Sequence, residues 1–295
     1  MTARILSGKE IGQQIRQELT EEIAALKEKH NLVPGLATVL VGDDPASKVY
    51  VGAKERACQA LGIYSERHDL PGDTSQEELL ALVERLNNNG KVHGILVQVP
   101  LPKHIDEATV LFAIDPDKDV DGFHPVNVGK MMIGEPAFLP CTPHGIQEVL
   151  IRSNIKIEGA DVVIVGRSNI VGKPVAAILM QKQAGANATV TVCHSRTKNI
   201  ADHTRRADIL IVGIGQAKFI TADMVKEGVV VIDAGINQIG KTPEGKRILV
   251  GDVDFEAVKE KAAAITPVPG GIGPMTIVML MANTVKSVKM AAGLA

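Results

Sequence analysis

The chain has 295 residues, 45% hydrophobic and 22% charged, and its 32 Lys and Arg against 34 Asp and Glu leave a net charge of −2. That length and balance fit about two globular domains and exclude a disordered chain. No basic excess or Lys/Arg-rich run marks a nucleic-acid partner, and two Tyr, five Phe and no Trp offer no stacking platform for single strands.

No apolar stretch is long enough to span a bilayer, so no membrane partner is expected. The opening ten residues carry no apolar core of a signal peptide. Cys58, Cys141 and Cys193 are odd in number and far apart, giving neither a disulfide framework nor a metal-ligand spacing. They read as small buried hydrophobes, and a cytoplasmic location with no bound metal is the expectation.

In chain order, Ile11, Ile15, Leu19, Ile23 and Leu26 form the apolar stripe of a helix over 9–29. A short apolar run, 36–41, reads as a buried strand. Val49, Ala53, Ala57 and Ala60 share one side of a helix over 45–61. A strand at 63–68, a helix over 75–87 and a strand at 94–99, stopped by Pro100 and Pro102, complete a βαβαβ order and predict a parallel sheet. Residues 115–143, rich in Asp, Gly and Pro, read as loop and domain boundary. Thr142-Pro143 reads as a helix cap followed by proline at the first helical position.

A second alternation follows, with strands at 162–165, 188–193, 209–213 and 229–233 and a helix over 172–183. That is the pattern of a doubly wound, Rossmann-like dinucleotide-binding sheet. A last helix covers 274–290. The fold class is therefore α/β in two domains.

Four stretches carry candidate chemistry. The first is Gly166-Arg167-Ser168-Asn169-Ile170-Val171-Gly172-Lys173-Pro174, a strand running through glycine into a helix whose N-terminus could hold a pyrophosphate; a plain tight turn explains the glycines as well. The next strand ends in Cys193-His194-Ser195-Arg196-Thr197, without the carboxylate that binds ribose hydroxyls in NAD enzymes. A cation and hydroxyls there suit a 2′-phosphate, hence NADP, with Arg167 as a second cation; otherwise Arg196 is a solvated loop residue.

The second stretch places Tyr50 and Lys54 one helical turn apart on one face. A lysine desolvated beside a phenol can move protons; an amphipathic surface pair is the alternative. Short-chain dehydrogenases share the Tyr-x-x-x-Lys spacing, but there the nucleotide turn precedes the pair, the reverse of the order here. The third is Val97-Gln98-Val99-Pro100-Leu101-Pro102, with Gln98 at the carboxyl end of an apolar strand, in need of a partner such as a lysine ammonium or satisfied by backbone. The fourth is Pro267-Val268-Pro269-Gly270-Gly271-Ile272-Gly273-Pro274-Met275-Thr276, where glycines allow close approach to a ligand or form a hinge.

Together with Val41-Gly42-Asp43-Asp44-Pro45-Ala46-Ser47 and Lys118-Asp119-Val120-Asp121-Gly122-Phe123, these motifs resemble the bifunctional methylenetetrahydrofolate dehydrogenase/methenyltetrahydrofolate cyclohydrolase family of one-carbon metabolism, over nearly the whole chain. The resemblance implies an N-terminal folate domain, 1–139, joined by a returning C-terminal helix, 273–295. It implies an NADP domain at 140–272, an active site in the cleft between the two, and a homodimer. It implies catalytic roles for Lys54, Tyr50, Gln98 and Asp121, the last holding the pterin. Folate contacts are implied at Tyr50, Lys54, Val97, Gln98, Val99 and Asp121, and at Pro269, Gly270, Gly271, Ile272, Gly273, Pro274, Met275 and Thr276. NADP contacts are implied at Gly166, Arg167, Ser168, Ser195, Arg196 and Ile236. One stretch, 180–187, is longer than the family's usual connection and reads as an extended helix end with a glycine turn.

The implied reaction is hydride transfer from 5,10-methylenetetrahydrofolate to NADP, then hydrolysis of the methenyl product to 10-formyltetrahydrofolate. A dehydrogenase for another small substrate would leave Gln98 and the 269–276 segment without a task. A non-catalytic nucleotide-binding regulator could dispense with Lys54.

Overall fold

A computed structural model describes residues 2–135, 137–243 and 245–294, with Ala46 taken as backbone alone. The chain forms two compact units: Gln13–Cys141 with Ile277–Ala295, and Met1–Gly12 with Thr142–Thr276.

The first of these units is built on three parallel strands in the order Tyr64–Leu70, Gly35–Val41, Gly94–Val97. Every residue of the central strand is buried, as expected where helices cover both faces of a parallel sheet and the strand reads as a continuous apolar run. The edge strand Tyr64–Leu70 has only half-buried and exposed positions and carries charged side chains. A helix, Pro45–Leu61, opens with Pro45 behind the cap Asp44, whose carboxylate accepts the Ser47 N–H at 2.7 Å. The helix Gln76–Asn87 opens with a reciprocal Ser75–Glu78 capping box that satisfies two otherwise orphaned N–H groups. Its Leu79, Leu82, Val83 and Leu86 join Ala37, Val39, Ile95 and Val97 in one core.

The other unit is a six-stranded parallel sheet in the order Arg4–Ile5, Ala264–Ile265, Val230–Asp233, Ile209–Val212, Asp161–Val165, Thr189–Cys193. Asp161–Val165 pairs on one side with the strand that follows it and on the other with the strand after that. The winding direction therefore reverses there, and the carboxyl ends on either side of such a reversal are where doubly wound sheets bind ligands.

The helix Ile272–Ala291 starts in the second unit and passes into the first at Ile277. The packing of this C-terminal helix in the first unit includes Cys58 Sγ 3.6 Å from Met281 Sδ.

Several boundaries differ from the sequence expectation. Within the expected loop 115–143 a helix spans Pro125–Ile133, capped by the His124 ring, which accepts the Val126 N–H, and closed by Gly134 at positive φ. Thr142 caps nothing: the next helix is Cys141–Arg152. The third strand of the small sheet stops at Val97, so Gln98 follows it, although the Gln98 N–H still bonds Val39 O at 2.8 Å. The helix expected over 172–183 ends at Leu179. The longer connection after it is a separate turn, with Gly185 and Asn187 at positive φ, held where Gln147 Nε2 donates to Gly185 O at 2.9 Å. An antiparallel hairpin, Asn237–Lys241 with Arg247–Val250, is additional.

Candidate active site

In the first unit, helix geometry carries Lys54 to a buried position, 9% exposed, while Tyr50 one turn earlier stays 46% exposed. Lys54 Nζ donates to Gln98 Oε1 at 3.0 Å. Gln98 uses its own Nε2 to donate to Val99 O at 2.7 Å, which leaves only the oxygen end of the amide to face the lysine. The Val99–Pro100 peptide is cis.

Burial lowers the Lys54 pKa, against the opposing pull of Asp121 and Cys141. Burial raises Asp121, and the Lys54 charge holds it down in part. This is a lysine shifted toward its neutral amine, beside a carboxyl shifted toward its neutral acid, so burial brings the two proton affinities closer together.

Asp121 is presented by a turn built around Asp119. The buried Asp119 carboxylate accepts N–H groups of Gly122, Phe123 and His124 at 3.2, 3.3 and 2.8 Å, and Asn127 Nδ2 at 3.0 Å. From the C-terminal helix, Asn283 Nδ2 donates to Val120 O at 2.8 Å and Leu139 O at 3.0 Å. These residues and Cys141 are the ones sequence reading missed. Asn283 sits in an apolar helix, where a lone buried amide is the available signal. Cys141, taken as a buried hydrophobe, is buried as expected, but it also contributes to the charge balance of Lys54 and Asp121.

In the second unit a cavity of about 590 Å³ opens at the carboxyl ends of Asp161–Val165 and Ile209–Val212. It is lined by Gly166, Arg167, Ser168, His194, Ser195, Gly213, Ile214 and Gln216 among others. Gly166 has φ +131°, and a Cβ on it would lie 2.4 Å from Gly213 O; only glycine lets the two loops meet there. Ser168 Oγ accepts the Val171 N–H at 3.1 Å and shapes the entry to the helix Gly172–Leu179. A bare backbone turn, an exposed guanidinium and two hydroxyls around one cavity fit a dinucleotide's phosphates and ribose.

Of the nucleotide-site residues expected from sequence, Gly166, Arg167, Ser168 and Ser195 share this cavity. Arg196 is exposed and not among its lining residues; its N–H bonds His194 Nδ1 at 3.1 Å. Ile236 is 48% exposed and stands by Gly273, whose Cβ would be 3.9 Å from its Cδ1. In the segment 269–276, Thr276 Oγ1 meets Thr142 Oγ1 at 2.7 Å, and Met275 is buried. Among the described residues no group of three or more His, Cys, Asp or Glu could hold a metal ion, and no helix is long and apolar enough to cross a membrane.

The sequence matches two family models, described as the catalytic domain of tetrahydrofolate dehydrogenase/cyclohydrolase over residues 6–121 and the NAD(P)-binding domain of the same family over 140–292. The chain belongs to the tetrahydrofolate dehydrogenase/cyclohydrolase family. The bifunctional protein FolD of Dehalococcoides mccartyi is 67% identical over 294 residues, which are 100% of this chain and 99% of that protein. The crystal structure of the FolD methylenetetrahydrofolate dehydrogenase/cyclohydrolase of Campylobacter jejuni is 49% identical, with a TM-score of 0.91 over 98% of this chain and 99% of that one. The Trypanosoma brucei enzyme, crystallised with NADP cofactor and an inhibitor, is 39% identical with a TM-score of 0.92 over 99% of each chain. In this member of the tetrahydrofolate dehydrogenase/cyclohydrolase family the catalytic-domain match ends at Asp121 and the NAD(P)-binding match begins at Pro140, just before the helix Cys141–Arg152 that precedes the strand Asp161–Val165.

Proposed function

We propose that this chain is a bifunctional enzyme that oxidises 5,10-methylenetetrahydrofolate to 5,10-methenyltetrahydrofolate with NADP⁺ and hydrolyses the product to 10-formyltetrahydrofolate. The observation that carries the reading is the partly buried Lys54–Gln98 hydrogen bond of 3.0 Å beside Asp121, in a chain that also holds a glycine-turn cavity for a dinucleotide.

When bound, NADP⁺ accepts the hydride at its nicotinamide ring. The two folate nitrogens flanking the methylene carbon supply the electron density, so the first step needs alignment rather than a strong base. Gly166, Arg167, Ser168 and Ser195 hold the cofactor, with Arg196 and Ile236 completing its contacts. Tyr50, Val97, Val99 and the 269–276 segment shape the folate site, and Asp121 holds the pterin.

Hydrolysis requires water to add to the methenyl carbon. Lys54, lowered toward its amine form, takes a proton from that water as the carbon–oxygen bond forms. The bond from that carbon to the pterin nitrogen then breaks, its electron pair stays on the nitrogen, and Lys54 returns a proton there. The adduct's hydroxyl proton leaves to solvent as the formyl C=O forms. Gln98 holds the amine lone pair in register without adding a charge.

A near-ultraviolet time course with 5,10-methylenetetrahydrofolate and NADP⁺, repeated with NAD⁺, tests this. NADPH formation with little lasting methenyl species is the expected result. Activity with NAD⁺ alone overturns the roles of Ser195 and Arg196, and silence with both cofactors in folded protein overturns the enzyme reading. The protein is further inferred to be a cytoplasmic homodimer; sedimentation at the mass of one 31.3 kDa chain rejects the dimer.

A further inference from the structure

Two carboxylates in the larger unit take no part in the mechanism above and are among its most buried polar groups: Asp233 is 2% and Asp252 0% exposed. Asp252 Oδ2 accepts the N–H groups of Ile214 at 2.6 Å and Gly215 at 2.9 Å, and its Oδ1 accepts Asn237 Nδ2 at 2.8 Å. One carboxylate thus joins the loop after the strand Ile209–Val212 to the loop after Val230–Asp233. The first loop lines the cofactor cavity through Gly213, Ile214 and Gln216, and the second carries Ile236 next to Asn237.

Asp252 is held in turn by Asp233, whose Oδ1 accepts the Asp252 N–H at 3.0 Å and the Gly235 N–H at 2.9 Å, while its Oδ2 accepts Val253 N–H at 2.9 Å. Gly235 leaves the space the Asp252 carboxylate fills: a Cβ there would lie 2.2 Å from Asp252 Cγ. Burying two acidic groups is costly, and an apolar pair would hold a sheet end more cheaply. What the pair supplies instead is a fixed position for two loops at the carboxyl end of the sheet.

We propose that Asp252 is a positioning residue of the dinucleotide site, setting the cofactor-facing 213–216 loop against the 235–237 loop through Ile214, Gly215 and Asn237. The inference rests on the dinucleotide reading of the neighbouring cavity. It names a chemical pattern, acceptor on 252 and donor on 237, that can be broken and then restored with its sense reversed.

In Asn237→Asp a carboxylate faces the Asp252 carboxylate, acceptor against acceptor, and no flip of either group relieves it, while Asp252 still accepts its two backbone N–H groups. Calorimetric titration with NADP⁺ should show binding weakened about tenfold, with KM for NADP⁺ raised more than kcat is lowered. The ratio of dehydrogenase kcat/KM to cyclohydrolase turnover in the same preparation should fall. Adding Asp252→Asn to that variant places an NH₂ donor opposite the new acceptor and should recover most of the affinity.

Unchanged NADP⁺ affinity in folded Asn237→Asp, or a double variant no better than the single one, overturns the proposal. If Asn237→Asp does not fold, Asn237→Ala, which keeps both backbone contacts of Asp252, is titrated instead: weakened binding supports the tie and wild-type affinity overturns it. A wild-type protein that binds no NADP⁺ defeats the dinucleotide reading itself, an outcome separate from these.

Discussion

Lys54, the proposed proton carrier, is buried by one helix, and the uncharged Gln98 just past a strand end accepts its hydrogen bond. Removing the ammonium with Lys54→Met keeps the stem's packing and deletes the proton carrier. Cyclohydrolase turnover should drop by a factor on the order of 10² or more, while NADP⁺ binding, measured by calorimetry, survives; hydrolysis at the wild-type rate rejects the role. Because burial lowers the Lys54 pKa from the ordinary 10.5, the base form gains population as pH rises, and cyclohydrolase activity should climb to a plateau with its inflection below that value. Asp121→Ala should raise the folate KM about tenfold or more, the loss of a buried hydrogen-bonding carboxyl group; an unchanged KM excludes Asp121 from the pterin site. Asp233 behaves oppositely to Lys54. Burial, against three N–H donors, pushes its carboxyl up to about 6 from the ordinary 3.8. A raised folded-state value means its stabilising contribution is complete below 3.8 and is lost as pH rises through about 6. The stability of the wild type relative to Asp233→Asn, from urea unfolding, should therefore decline across that window by about 3 kcal/mol; a flat difference would show that Asp233 titrates normally.

Elements whose sequence pattern has one physical cause were legible, and those with competing causes were not. The strands Gly35–Val41, Ile209–Val212 and Val230–Asp233 are buried throughout, and Asp161–Val165 beyond its first residue, so they read as apolar runs. The helix Gln76–Asn87 declares itself by a capping box and a stripe. Pro125–Ile133 was hidden by the Asp- and Gly-rich residues before it, though Pro125 at its start and Gly134 at its end are the usual stop signals. The hairpin Asn237–Lys241 with Arg247–Val250 is mostly exposed, and its polar sequence has no period to read. In the site, Lys54 was legible through its place one helical turn from Tyr50, and Gln98 because it ends an otherwise apolar strand run. The Asp233–Asp252 ties were not, since backbone N–H partners leave no mark on composition. The glycine turn was legible as a pattern, and its necessity is steric: Gly166→Ala drives a Cβ toward Gly213 O, 2.4 Å away, at φ +131°. That variant should bind NADP⁺ about a hundredfold more weakly, a cost of roughly 3 kcal/mol of strain, and wild-type affinity would mean the two loops can part without affecting the site.

Across the whole molecule the division of labour follows the two sheets. The three-stranded sheet carries Lys54, Gln98 and the Asp121 turn, and the six-stranded sheet carries the nucleotide cavity at its winding reversal. Each ligand should therefore leave its own footprint in amide hydrogen exchange, because a ligand that binds only the folded state stabilises it by about 2.7 kcal/mol at a hundred times its dissociation constant. Protection rises most where the bound groups restrict local opening. NADP⁺ alone should slow exchange at 166–168 and 214–216, in the loops that Gly166 and Asp252 bring together. A tetrahydrofolate ligand alone should slow it at 119–124, where the Asp119 carboxylate already orders three N–H groups. Protection by NADP⁺ at 119–124 with none at 166–168 would reverse the assignment of the two sites, since the backbone groups that line the cavity would then be idle when the cofactor is bound.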